Sequence, residues 1–518
     1  MKHLPIVAAL FGALAAPTFA DTPRMGGTAK VALGADILGT QPGVVRESGT
    51  DTVLHHIFEG LVAYDATLEV QPMLAESWEI SDDGKTYTFT LRDDVTFHNG
   101  QPLTSADVKW SWERWLDAEL GWGCTHWYDG SEALKIEAIE TPDDTTVVFR
   151  LNIPSGLFLA QMSNFQCLPA IAHPDSVDAD GNWVAPIGTG PFTLGEWEKG
   201  VSVTLNKNPD YAPASGEKSG YAGQRIAYLD SVEFMVVPEP ATAMAGLRAG
   251  DLHLMVNIGP LEETELGRAA NVEVLTGPGL EWSTLLVNVH DPVMKDLDMR
   301  LAVAHAIDFE ALAKATTRGA VGYNPASYSG QSVYHTDVQK TGYTRDLDKA
   351  AELLERAGYD GTPLKIQTSK RYGNMFQNAV IIQSMLAEAG IEAELEVLEW
   401  PAHLDNYFQG KFQLSSFGYS ARTDPVMNYW SVVGPHEESP AYQWNNEDAY
   451  GMTFEAAAET DPAKRQEIFD KIHTMMIEEA PTLNLYDEVN AAAINTALNN
   501  YEIWPGGKPR LWGVWLEE

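Results

Sequence analysis

Two short stretches hold side chains able to grip a small solute. One is Ser369-Lys370-Arg371-Tyr372; the other is Gly418-Tyr419-Ser420-Ala421-Arg422-Thr423-Asp424-Pro425. An arginine fork offers a carboxylate two parallel, charge-assisted bonds, a lysine offers a point charge, and a carboxylate such as Asp424 suits an ammonium group. Tyr372, Trp400, Tyr419, Tyr429 and Trp430 could wall a pocket, with Trp282 as a further ring, although each equally suits a core. Covalent chemistry is poorly served. Gly418-Tyr-Ser420-Ala-Arg422 starts like a nucleophile elbow but has Arg where the closing Gly is needed. The 13 histidines are scattered without an HExxH or HxH spacing, so neither a metal nor a cofactor is expected. Gly188-Thr-Gly190-Pro191 lacks the Gly-Lys-Ser/Thr and the following helix of a phosphate loop. The 73 acidic residues single out no catalytic pair by spacing alone. The chemistry on offer is recognition.

The elements around these loops read as alternating strands and helices. Leu347, Ala350, Leu353, Leu354 and Ala357 form a helical stripe stopped by Gly358. Leu364 to Thr368 reads as a strand, Phe376 to Ala389 as a helix ended by Gly390, and Ile391 to Val397 as a strand closing on Glu399-Trp400. That is a βαβ unit of a parallel sheet, whose ligands sit beyond the strand C-termini. The rule selects the two loops above. Further on, Asp461-Pro462 caps a long helix carrying Ile468, Ile472 and Met475 inward, and Asp298 and Asp308 suit the N-caps of two consecutive helices.

Earlier in the chain, Trp78 and Ile80 alternate before Asp82-Asp83-Gly84, and Tyr87, Phe89 and Leu91 alternate after it, as in a β-hairpin. Asn99-Gly100 marks a turn, and Thr104 with Asp107 forms a capping box ahead of a helix with Val108, Trp112, Trp115 and Leu116 on one face. The tryptophan-dense run from Trp110 to Trp127 reads as core packing rather than a stacking platform.

Composition sets the outer limits. The chain has 518 residues, 44% of them hydrophobic, enough for two or more lobes. A formal charge of −39 is unsuited to nucleic acid or anionic lipid. Lys2, an apolar run from Leu4 to Ala16, and Thr18-Phe19-Ala20 read as a secretory signal cut after Ala20, too short to span a bilayer. No cysteine stands there for a lipid anchor, so an exported, unanchored chain is expected. Cys124 and Cys167 either bridge in an oxidising compartment or stay as two thiols.

One ordered set of residues also carries a resemblance. Leu74-Ala-Glu-Ser-Trp78, Asp83-Gly84, Leu91-Arg92, Val95-x-Phe97-His98-x-Gly100 and Leu103-Thr-x-x-Asp107-Val108 resemble the signature of the family 5 solute-binding proteins of ABC importers. The blocks at Gly188–Tyr211 and Asn288–Asp308 and the strand at Leu483–Tyr486 are similar to that family too. The resemblance implies an α/β, two-lobed periplasmic binding protein (class II, cluster C type) with a subdomain inserted in the first lobe. Mapped here, that means signal 1–20, first lobe 21–65, insert 66–187, first lobe again 188–280, second lobe 281–487, and a return to the first lobe over 488–518. It implies a monomeric periplasmic receptor, not an enzyme, that delivers a peptide or other small solute to a permease driven by cytoplasmic ATPases. Peptide receptors of the family use an Arg for the ligand carboxylate, matched by Arg371 with Lys370 as neighbour. Where they use an Asp for the ligand amine, this chain has Arg422, with Asp424 two residues on. The ligand set implied is therefore Lys370, Arg371, Tyr372, Trp400, Tyr419, Ser420, Arg422 and Asp424. Two arginines would favour an anionic or hydroxyl-rich solute unless Asp424 takes the amine or Arg422 pairs with Asp424 or Glu399.

Overall fold

A computed structural model describes residues 22–517 apart from 45, 46 and 132; the expected signal peptide and its cleavage point lie outside the described residues. A ten-stranded mixed sheet runs through the molecule. Its order is Ala393–Leu398, Leu364–Ser369, Leu414–Tyr419, Val272–Val287, Thr482–Asn495, Leu254–Val256, Thr28–Leu33, Ser231–Val236, Ser202–Lys207 and Phe192–Glu198. The βαβ unit is present: Leu364–Ser369 pairs parallel with Ala393–Leu398 across the helix Gly373–Glu388. The helix begins three residues before the expected start, so its first turn sits directly at the strand end.

Two strands tie the halves of this sheet together. Val272–Val287, 16 residues, pairs antiparallel with Thr482–Asn495, 14 residues. Their register breaks between Pro278, opposite Val489, and Trp282, opposite Asp487, so Gly279, Leu280 and Glu281 stand against Glu488 alone. Such a bulge bends the ladder and re-aims side chains. The expected lobe boundaries at 280/281 and 487/488 fall at this irregularity, inside the strands. On one side Leu285, Ile366, Ile382, Leu414, Leu483 and Leu485 pack a common core. On the other, a larger core includes Val31, Val203, Phe234 and Leu254.

A separate four-stranded antiparallel sheet, Ala75–Ile80, Thr86–Leu91, Thr146–Leu151 and Ile136–Asp143, lies within residues 66–187. Gly84 turns its hairpin at φ +66°, a left-handed conformation that costs glycine little. The helix Ser105–Trp115 carries the Thr104–Asp107 capping box and buries Val108, Trp112 and Trp115 against this sheet; the Trp115 indole N–H donates to the Ala170 carbonyl at 2.8 Å. Cys124 and Cys167 form a disulfide with their Cα atoms 6.1 Å apart. The subdomain also docks on the second half of the chain: the Gly156 N–H donates to the Ala457 carbonyl at 2.8 Å, and Leu157 packs with Tyr429, Trp444 and Phe469.

Two local readings need correction. The N-cap of Leu297–Ala306 is Asp296, not Asp298; Asp298 lies in the first turn and pairs with Arg356. On the helix Pro462–Glu479, Met476 is the fully buried methionine and Met475 is only partly covered, because the packing stripe drifts by one position over the last turns.

Candidate functional site

Between the two halves lies a cleft of about 630 Å³. One wall is built by strand ends. Tyr372, Asn374 and Met375 follow Leu364–Ser369, Trp400 follows Ala393–Leu398, and Gly418, Tyr419 and Ser420 close or follow Leu414–Tyr419. The facing wall is formed by Ile258, Gly259, Pro260 and Glu263, after the strand Leu254–Val256. Glu281, Tyr486, Glu488 and Val489, from the two crossing strands, make the floor. A second hollow of about 470 Å³ shares Ile258, Glu281 and Val489, so the trough continues past the crossing strands toward Lys508.

The rings form a connected group. The edge of Trp400 meets Tyr372 at 4.9 Å and its face lies 5.9 Å from Phe417. Tyr419 stacks at 4.5 Å on Trp282, whose indole N–H donates to Asn428 at 3.2 Å. Trp282 is buried and braces the wall from behind. Tyr429 is fully buried in core and takes no part in the cleft.

The charged loop residues are placed differently from one another. Lys370 and Arg371 are exposed and lie outside the cavity lining, Lys370 over the Phe376 ring at 4.9 Å and Arg371 over the Tyr372 ring at 5.8 Å. Arg422 folds back so that its guanidinium donates to the Ala421 carbonyl at 3.0 Å, and burial lowers its pKa. Asp424, the alternative partner for a ligand amine, turns inward instead. Its two oxygens accept from Arg465 at 2.8 and 2.9 Å, and one also caps the helix Pro425–Tyr429 through the Val426 N–H. Both partners are 4% exposed, so no oxygen of Asp424 faces solute and no Arg422–Asp424 pair forms.

The acidic groups that do face the cleft escaped the sequence reading. Glu281 is exposed to the trough, and desolvation by the walls around it raises its carboxyl pKa. One oxygen of Glu488 accepts from Ser283 and from Asn374, each at 2.5 Å. Burial, helped by the charges of Glu281 and Asp487, pushes Glu488 up to about 7. Its neighbour Asp487 points to the other face of the strand, where Asn324, Ser329 and the Gly330 N–H bond it; burial still raises it to about 6. The available signal was two adjacent carboxylates, Asp487-Glu488, directly after the apolar strand Leu483-Asn-Leu485-Tyr486. Across the trough, Arg318, in a left-handed conformation at φ +56°, donates to the Pro260 carbonyl at 3.3 Å and ion-pairs with Glu263. Among the described residues no group of three or more His, Cys, Asp or Glu is placed to hold a metal ion.

Residues 69–439, more than half the chain, match the model of the bacterial extracellular solute-binding proteins, family 5 (middle region). The chain is 26% identical over 479 residues to the dipeptide-binding protein of Escherichia coli, covering 87% of each. It is 28% identical over 518 residues to di/tripeptide-binding protein 4 of Pseudomonas aeruginosa, covering 94% of this chain and 93% of that one. Among solved structures it resembles the ABC transporter-associated periplasmic binding protein DppA of Helicobacter pylori in complex with the peptide STSA. The TM-score is 0.67 at 28% identity, with 96% of this chain and 99% of that one covered. The unliganded open form of the periplasmic murein tripeptide-binding protein MppA shares the fold, with TM-score 0.80, 19% identity and coverage of 94% and 97%. With the cleft, the crossing strands and the matched span agreeing, the chain belongs to the bacterial extracellular solute-binding proteins, family 5.

Proposed function

We propose that this protein is the periplasmic receptor of an ABC importer, which captures a peptide or peptide-like solute in the cleft and presents it to a membrane permease. The observation that carries this reading is the trough itself. Strand ends with aromatic side chains form one wall, a second wall faces it, and two crossing strands with a bulge join them. Capture needs no bond to be made or broken. Solute enters the open trough, both walls contact it, and closure is favoured by whatever affinity the closed form has in excess of the open one. Among the described residues no helix is long and apolar enough to cross a membrane. Export by the N-terminal signal, with cleavage after Ala20, is part of the same reading.

The test is native mass spectrometry on the mature protein released gently from its host's envelope. An added mass that dissociates unchanged is the expected result, and deletion of the protein should abolish uptake of that solute. Turnover of the solute by the purified protein would refute the reading. Saturation at about 100 times Kd should stabilise the receptor by about 2.7 kcal/mol in thermal melts.

A further inference from the structure

The cleft is the site on grounds of shape and strand topology, independent of its charges; its charges then say what kind of solute fits. We propose that the solute carries a protonated amine, seated on the floor of the cleft between Glu281 and Glu488 with its apolar part against Tyr372, Trp400 and Tyr419. This rests on the receptor reading above and deepens it.

The floor of the cleft carries charge of one uncompensated sign. Arg318 is the single cationic side chain among the described lining residues of the main cavity, and it is turned to Glu263 and the Pro260 carbonyl. In the adjoining hollow, Lys508 bonds to Asp51. Lys370 and Arg371 lie on rings outside the lining, and Arg422 is bonded to its own loop carbonyls. Glu281 and Glu488 thus share a floor from which the cations of the surrounding loops are turned away. An anionic solute placed there would be repelled by two carboxylates, whereas an ammonium group would relieve their mutual repulsion. Glu488 is also oriented: Ser283 and Asn374 both bond its Oε1, fixing the carboxylate plane. Oriented acceptors and aromatic faces together form the surroundings that a cationic nitrogen favours. The strand register explains why both acids point to the same place. Trp282 stands opposite Asp487 and Ser283 opposite Tyr486, so one step on Glu281 faces Glu488, and opposed residues of an antiparallel pair share a face.

Proton linkage gives a readout that packing alone would not. The groups around Glu488 are Glu281 on the neighbouring strand, the Tyr486 hydroxyl, Ser283 and Asn374 as donors, and the charge of Asp487 on the opposite face of its own strand. At pH 6 an arriving ammonium should expel a proton from this group. At pH 8.5 it should expel none.

The experiment is calorimetric titration of the full mature chain with lysylalanine, alanylalanine, their amine-acetylated forms and glutarate. Each is run at pH 6 in two buffers of different ionisation heat, and again at pH 8.5. Lysylalanine should bind, acetylation of its amines should weaken binding tenfold or more, and Glu488→Gln and Glu281→Gln should each do the same. Proton release at pH 6 should vanish in Glu488→Gln. Melting curves of the two variants report that they fold. Tighter binding of glutarate, equal binding of acetylated peptides, or unchanged affinity in both variants overturns the proposal. So does a panel of which no member binds. The receptor reading is judged separately, by whether the protein from its own envelope carries any added mass: a neutral or anionic mass leaves that reading standing and removes this one.

Discussion

Replacing Asp424 separates a structural role from a ligand-binding one. Its carboxylate and the Arg465 guanidinium form a two-pronged pair at 2.8 and 2.9 Å, each side chain 4% exposed. Arg465 also donates to the Ala456 carbonyl at 2.7 Å and lies over the rings of Tyr334 and Phe469. In Asp424→Ala that guanidinium keeps its charge and loses its counter-ion in a place water cannot reach. Removing one partner of such a pair costs about 3–5 kcal/mol, to which the lost cap of Pro425–Tyr429 adds about 1 kcal/mol. For a unit of about 150–250 residues, a combined loss of about 4–6 kcal/mol lowers Tm by roughly 8–24 °C. Arg465→Met should behave alike, and the double variant Asp424→Asn with Arg465→Met should recover part of the loss, since no unpaired charge remains. The assay is differential scanning calorimetry of all three, with solute affinity measured on each well below its transition. A destabilisation under about 1 kcal/mol for Asp424→Ala, coupled to a tenfold loss of affinity, would refute the reasoning and restore Asp424 to the binding site.

Other expectations follow from the same geometry. Glu488 titrates near 7 in the fold against 4.5 when unperturbed, so the folded state holds the extra proton between those values. Its contribution to stability should therefore fall as pH rises from about 4.5 to about 7, and the difference in Tm between Glu488→Gln and the parent should grow over that window. A pH-independent difference would remove the assignment. Cutting the Cys124–Cys167 link, which spans 43 residues, by Cys→Ser at both positions should cost about 4 kcal/mol on the loop-entropy argument, seen in urea melts with and without reductant. At Gly156 an added Cβ would stand 1.9 Å from the Glu459 carbonyl oxygen. Gly156→Ala should accordingly destabilise by about 1–3 kcal/mol and raise protease sensitivity around residues 454–460, whereas Gly100→Ala, with open space around it, should lack the proteolytic effect.

Local patterns were readable and long-range partnerships were not. The hairpin at Gly84, the Thr104–Asp107 box and the βαβ unit each depend on residues a few positions apart, so spacing alone carries them. Asp296 and Asp298 are both plausible caps, and only the Met299 N–H, which bonds Asp296, decides between them. Asp424 before Pro425 is a cap signal in any sequence, yet its buried partner stands 41 residues later on another helix. Tyr372, Trp400, Tyr419 and Ser420 line the cleft because all stand at strand ends, a position the alternation of strands and helices does predict. Glu281 and Glu488 come together only through pairing of two strands some 200 residues apart, in a register that no periodicity announces. The disulfide was equally open, since two cysteines in one segment fix neither distance nor orientation.

The two crossing strands have a mechanical consequence. A pair of hydrogen-bonded strands resists stretching and bending within its plane but yields to twist about its length, like a torsion bar. Here the bar is softened at two points, where its register slips around 279–281 and again between Ser283 and Thr284. The closure proposed for the receptor, a rotation of one half of the molecule against the other, would thereby be concentrated over a few residues. A solute on the proposed Glu281 and Glu488 seat would lie beside those same residues. On that reading a small body would set the angle of the whole assembly without reaching the outer rim, and the rim would be left free to admit solutes of different length.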